Sequence, residues 1–72
     1  MPHVVIKMYP GRSEQQKARL AEAITKNITE ILACREEVVS IAMEEVKPEE
    51  WEEKVDKPEI QPNWDRLYKR PG

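Results

Sequence analysis

Hydrophobic positions along the chain change their rhythm three times. The opening segment His3-Val4-Val5-Ile6-Lys7-Met8-Tyr9 is rich in β-branched residues and stops at Pro10-Gly11, which predicts a first strand closed by a turn. Pro2 fits the start of that strand, because a first residue need not donate to the ladder. Ser13-Glu14-Gln15-Gln16 has the form of a capping box, with Ser at the N-cap and Gln three residues on. Apolar residues then recur at Leu20, Ala23, Ile24, Ile28, Ile31 and Leu32, while Lys17, Arg19, Glu22 and Lys26 lie largely off that stripe. This period predicts a helix of about five turns. Val38-Val39-Ser40-Ile41-Ala42-Met43 predicts a second strand.

The succession is a βαβ unit, whose two parallel strands and crossover helix are expected to have right-handed connectivity. Beyond it, Pro48-Glu49-Glu50-Trp51 places Pro and acids where a helix begins, with Trp51 and Val55 on one face. Lys57-Pro58 is expected to interrupt that helix. Gln61-Pro62 then opens another, with Trp64, Leu67 and Tyr68 on its apolar side and Pro71-Gly72 at its end. The expected class is α/β (α+β): a small βαβ unit with short C-terminal helices, forming one domain over residues 1–72.

Size changes the picture. A chain of 72 residues folding alone leaves roughly 40% of its unfolded surface exposed. Small scaffolds use disulfides, metals or partner subunits to compensate. One Cys, Cys34, allows no internal disulfide, and a single His3 beside it cannot complete a structural zinc site. Two parallel strands under one helix also leave sheet edges open. Self-association is therefore expected to complete the fold.

Composition removes several functional classes. Twelve basic against 14 acidic residues give a net charge of −2, so no electrostatic footprint for nucleic acid exists. The longest apolar run, Val4-Val5-Ile6, is far short of the ~20 residues of a membrane helix. No apolar targeting segment opens the sequence, which leads to the expectation of a cytoplasmic protein. Seven acids between Glu44 and Asp56 read as a solvated surface.

Pro2, the Gly11-Arg12-Ser13 turn, Gln16-Lys17 and the spacing to Ser40-Ile41 resemble the 4-oxalocrotonate tautomerase family, whose mature chains begin with proline. The final third, with Pro48-Glu49-x-Trp51, Glu59-Ile60-x-Pro62 and Lys69-Arg70-Pro71-Gly72, resembles the dimeric PptA-type branch. Hexameric relatives carry a glycine-rich C-terminal hairpin where this chain is charged and helical, so the resemblance implies a homodimer. It also implies a cofactor-independent, metal-free isomerase. Its substrates would be small 2-oxo acids or their enols, such as phenylenolpyruvate, and Pro2 would be the general base once Met1 is removed. A terminal proline is a secondary amine, and apolar surroundings with a nearby guanidinium would lower its basicity toward neutral pH.

The resemblance assigns further residues by position. Arg12 matches an arginine serving a substrate carboxylate, and Trp51 matches an aromatic pocket wall. Ser40 takes the place of a second substrate-facing arginine, a departure that weakens dicarboxylate binding and carbonyl polarisation. Each has a plainer reading: Pro2 as a strand end, Arg12 as a solvated turn residue, Ser40 as strand filler, Trp51 as core or interface. His3 and Cys34 are read as structural and inert. Two other functions fit the same residues. One is another superfamily activity, namely hydration, dehalogenation or decarboxylation of a small acid; the other is a non-catalytic dimeric interaction module.

Overall fold

The computed structural model describes all residues, 1–72. Strand β1 covers His3–Met8, helix α1 Glu14–Ile31 and strand β2 Ser40–Glu45. The strands pair in parallel, His3 opposite Ser40 through Met8 opposite Glu45, and form a two-stranded sheet. After β2 come a 3₁₀ turn Pro48–Glu50, a π-helix Glu52–Ile60 and a 3₁₀ helix Gln61–Arg66. The βαβ unit and the C-terminal helical segments are those expected. No helix is long and apolar enough to cross a membrane.

Local chemistry accounts for the boundaries. The turn after β1 places Gly11 at φ +121°, a conformation that L side chains rarely adopt. Ser13 then caps α1: its Oγ accepts from the Gln16 amide at 3.0 Å, and Gln16 Oε1 accepts from the Ser13 amide at 2.9 Å. The helix ends in a Schellman turn, with the Cys34 amide donating to the Thr29 carbonyl at 3.3 Å. Ala33 occupies the left-handed position at φ +53°, where glycine is usual. A 3₁₀ turn at Glu36–Val38 delays the second strand to Ser40, two residues later than the β-branched run suggests.

The C-terminal third differs from expectation. Lys57-Pro58 does not interrupt the helix, which continues to Ile60 with Pro58 inside it. In an α-helix the Pro58 ring would meet the carbonyl of Lys54. The wider i→i+5 turn avoids this, as the Gln61 amide bonding to Asp56 O illustrates. The last 3₁₀ helix stops at Arg66, before Leu67 and Tyr68. Tyr68 is fully solvent-exposed, so Trp64, Leu67 and Tyr68 form no common buried side within the chain.

The π-helix is tied across the sheet face opposite α1. Lys7 is hydrogen-bonded to Glu59 and lies 4.0 Å from Glu44. Tyr9 and Trp51 meet edge to face at 5.1 Å between ring centroids. On the helix side, Lys17 bonds Glu45 at 2.8 Å. The hydrogen bonds to Glu59 and Glu45 respectively raise the pKa of Lys7 and of Lys17 above 10.5.

Burial is sparse. Only Val46 and Val55 are buried. A compact monomer of this mass exposes about 4,700 Å², whereas this chain exposes 5977 Å². Its radius of gyration is 13.8 Å against about 11 Å for a compact chain of this length. The unburied apolar surface is not random. Lys17, Ala21, Ile24, Thr25, Ile28 and Thr29 are the half-covered positions of α1, so the sheet-facing stripe includes two threonines. Leu20, Ala23 and Ile31 lie on a flank roughly 100° around the helix and are exposed. That flank overlies β1 rather than β2, because Leu20 shares a cleft with Ile6 and Met8.

Candidate active site

Strand β1 carries the candidate residues at its two ends. At the start, the Ser40 amide donates to the Pro2 carbonyl at 3.1 Å, extending the parallel ladder one residue before the strand proper. His3 and Ser40 are directly opposed across the ladder. Their side chains meet at 2.6 Å between His3 Nδ1 and Ser40 Oγ. Met1 projects beyond this end and is 93% exposed.

At the other end, Met8, Tyr9, Pro10, Gly11, Arg12 and Trp51 line an open cleft of about 450 Å³. The edge-to-face contact with Tyr9 fixes the Trp51 ring there. A neighbouring cleft of about 260 Å³ is lined by Ile6, Met8, Arg12, Gln16, Lys17 and Leu20. Arg12 borders both. Every ion pair in the chain is made by a lysine, namely Lys7, Lys17, Lys54 or Lys57. The Arg12 guanidinium is therefore uncommitted, at the mouth of an aromatic cleft and next to the N-terminus of α1. Such a position suits a carboxylate.

The four residues singled out in the sequence thus fall into two pairs. Pro2 and Ser40 stand together, and Arg12 and Trp51 stand together. The six residues of β1 separate the pairs by about 20 Å at 3.3 Å per residue. The setting expected for Pro2, a nearby Arg12 and an aromatic wall supplied by a folded dimer, is not assembled within one chain, because an extended strand separates its ends as far as a chain can. Trp51 reaches Tyr9, not Pro2.

Two residues gain a place the sequence did not give them. His3, read as structural, touches Ser40 beside Pro2. Tyr9 supports Trp51. The signal for His3 was the pairing of strand starts, which depends on a register that the sequence pattern leaves undetermined. The Glu36–Val38 turn moves that register by two residues. Cys34 is half-buried and free.

Comparison with known proteins agrees with this architecture. Residues 2–55 match the family model described as Tautomerase enzyme. A probable tautomerase of Xylella fastidiosa is 36% identical over 72 residues, covering 100% of this chain and 88% of that protein. The tautomerase PptA of Cronobacter sakazakii is 40% identical over 73 residues, covering 100% of this chain and 96% of that one. Among solved structures, TomN, a 4-oxalocrotonate tautomerase homologue of the tomaymycin biosynthetic pathway, superposes with a TM-score of 0.67 at 38% identity. That match covers 69% of this chain and 77% of TomN. A heterohexameric 4-oxalocrotonate tautomerase from Chloroflexus aurantiacus gives a TM-score of 0.68 at 33% identity, covering 71% and 82% respectively. With a family model spanning three quarters of its length and full-length relatives of the same kind, the chain belongs to the tautomerase family.

Proposed function

We propose that the protein is a cofactor-independent keto–enol tautomerase acting on the enols of small 2-oxo acids, with Pro2 as the base and a site shared between two copies of the chain. The observation carrying the choice of base is the position of Pro2. It heads β1 with Met1 projecting into solvent, so removal of Met1 leaves a secondary amine at a strand end. Acylated by Met1, the same nitrogen is an amide without useful basicity. A terminal secondary amine is more basic than the about 7.7–8.0 of ordinary α-amino groups. Apolar surroundings and a facing guanidinium shift it toward neutral pH.

The partner copy supplies what this end of the strand lacks. The outer edge of β1 is unpaired, and the exposed flank Leu20, Ala23 and Ile31 lies on the same side. A two-fold axis across the middle of β1 would pair the two β1 edges antiparallel and bury both flanks. It would bring Pro2 of one chain beside the end of β1 that carries Arg12 and Trp51 in the other. The excess surface of about 1,300 Å² per chain would bury about 2,600 Å² in a dimer, within the range of obligate homodimers.

In this arrangement Arg12 of the partner subunit holds the substrate carboxylate and its Trp51 stacks on an aromatic substituent. Pro2 takes the enol hydroxyl proton and returns a proton to carbon, giving the ketone. Phenylenolpyruvate, with one carboxylate and one ring, matches one free arginine and one aromatic wall. The test begins with an intact mass, which establishes whether the chain starts at Pro2. Ketonisation of phenylenolpyruvate by the processed protein is then followed by ultraviolet absorbance. Acceleration over buffer that Pro2→Ala removes is the expected result. A full rate in Pro2→Ala, or no acceleration by the processed wild type, refutes it.

A further inference from the structure

We infer that the His3–Ser40 pair is the oxygen-side half of the site: Ser40 Oγ donates a hydrogen bond to the enolate oxygen formed when Pro2 removes the hydroxyl proton, and His3 sets Ser40 up to donate. The inference rests on Pro2 being the base and adds the group that receives the charge the base creates.

Three features of this end of the sheet support it. Ser40 is joined to the Pro2 residue through its own amide, at 3.1 Å from the Pro2 carbonyl, so its side chain is fixed next to the strand end that carries the amine. Its Oγ lies 2.6 Å from His3 Nδ1, a short contact that leaves Ser40 one strongly engaged partner. Both side chains are solvent-exposed, hence open to a substrate, and neither joins any ion pair. A pair made only to complete the strand would gain little from such exposure.

The donor–acceptor inventory defines the chemistry. A serine hydroxyl has one proton and two lone pairs. When Nδ1 of His3 carries a proton it donates to Oγ, and the Ser40 proton is then free to point at a substrate oxygen. In that tautomer the enol keeps its one hydroxyl proton for Pro2, and Ser40 donates to the same oxygen as its charge develops. No proton need leave the pair: the proton taken by Pro2 from oxygen is the one delivered to carbon. The pair lowers the charge separation between those two events. Ser40 therefore touches the reacting oxygen, and His3 is a positioning residue acting through it.

Steady-state ketonisation of phenylenolpyruvate tests this in the processed protein, with circular dichroism and size measured for each variant. Ser40→Ala and His3→Phe are expected to lower kcat about 10- to 100-fold, less than the ~10²–10³ for an enclosed oxyanion donor because the pair is exposed. KM should change less than about threefold, since the contact strengthens only as charge develops. Ser40→Thr keeps the hydroxyl and should keep the rate. His3→Asn places an amide nitrogen near the position of Nδ1 and should recover much of what His3→Phe loses. The double variant H3F/S40A should be no slower than S40A, because one residue acts through the other. Wild-type kcat in Ser40→Ala, an equal loss in Ser40→Thr, or multiplied losses in the double variant would each overturn the pair. If Ser40→Ala fails to assemble, equal kcat in His3→Phe and His3→Asn does so. Pro2→Ala separates the two levels. Its inactivity beside a fully active Ser40→Ala discards the pair and leaves Pro2 standing, whereas a full rate in Pro2→Ala discards both.

Discussion

Mixing an inactive and an impaired variant should restore activity, and by an amount the geometry fixes. Pro2 and Arg12 lie at opposite ends of β1, about 20 Å apart along the backbone, and an arginine side chain spans less than half of that. If both act on one substrate, they come from different chains. Consider one chain bearing Pro2→Ala and another bearing Arg12→Ala, co-expressed in equal amounts with different C-terminal tags. In a mixed dimer, one site combines intact Pro2 from the second chain with intact Arg12 from the first. The other site lacks both.

Random assembly gives each site an even chance of drawing each residue from the right chain, so the mixture should regain about one quarter of the wild-type rate per chain. That fraction is the same for a dimer or any larger ring built from the same pairwise contact. Alone, Pro2→Ala has no base. Arg12→Ala forfeits a charge-assisted hydrogen bond of about 1.5–3 kcal/mol, a loss of roughly 10- to 150-fold in kcat/KM. The background is thus low enough for a quarter to stand out. Dimers purified through both tags sharpen the reading, since every one carries a single good site and should run at about half the wild-type rate. Absence of recovery in doubly tagged dimers refutes the shared site, because residues acting within one chain leave no good site in any mixed dimer.

Stability should rise with protein concentration, because a chain with two buried residues has little core of its own and would rely on its partner in the proposed dimer. A thermal midpoint unchanged over a hundredfold range of concentration would count against that. Ser13→Ala removes the N-cap of α1 and should cost about 1 kcal/mol, read from the urea midpoint at fixed concentration. Ala33→Gly relieves a left-handed alanine and should gain about 0.5–1 kcal/mol by the same measurement. Hydrogen bonding to Glu59 raises the Lys7 pKa above 10.5. Its contribution to docking the π-helix is therefore complete below pH 10.5 and lost as pH climbs through the raised value. Trp51 fluorescence, which reports the neighbouring contact with Tyr9, should change over that alkaline range in the wild type, and Lys7→Met should shift the response.

Where the chemistry was local, the sequence was legible. Ser13 and Gln16 announced the start of α1, and their reciprocal bonds are both formed. The β-branched run at Val4-Val5-Ile6 became β1. The long apolar stripe marked the helix but not its orientation. Ile24 and Ile28 turn toward the sheet, whereas Leu20 and Ile31 do not, because a two-stranded sheet covers only part of the stripe. Pro58 was misread for a different reason. A proline excludes an α-turn around it, yet it can be carried inside a wider one, and nothing in residue spacing distinguishes a stop from a widened turn. The candidate residues were legible as a set and not as an arrangement. Pro2 and Ser40 meet through strand register, and Arg12 would face them only from a second chain, as in the proposed dimer.

The same surface that leaves the chain with little core would, in the proposed dimer, let so small a fold hold a site. Seventy-two residues cannot enclose a pocket and a core at once. Here Val46 and Val55 are nearly all the core there is, and both clefts at the Arg12 end are open. Antiparallel pairing of β1 would answer both needs with one contact. The exposed flank of α1 would become interior, and the open cleft beside Arg12 would gain a wall carrying the partner's Pro2. Folding, assembly and catalysis are then coupled. A variant that weakens the β1 edge, such as Val5→Pro, which removes an edge donor from an exposed position, should lose oligomeric size and ketonisation together as concentration falls. Ala33→Gly, at the other end of α1 from Arg12, should change stability while its assembled form keeps its rate. Coincident concentration dependence of size and activity in the first variant is the signature of a shared site. Activity persisting in a fraction shown by sedimentation to be monomeric would rule it out.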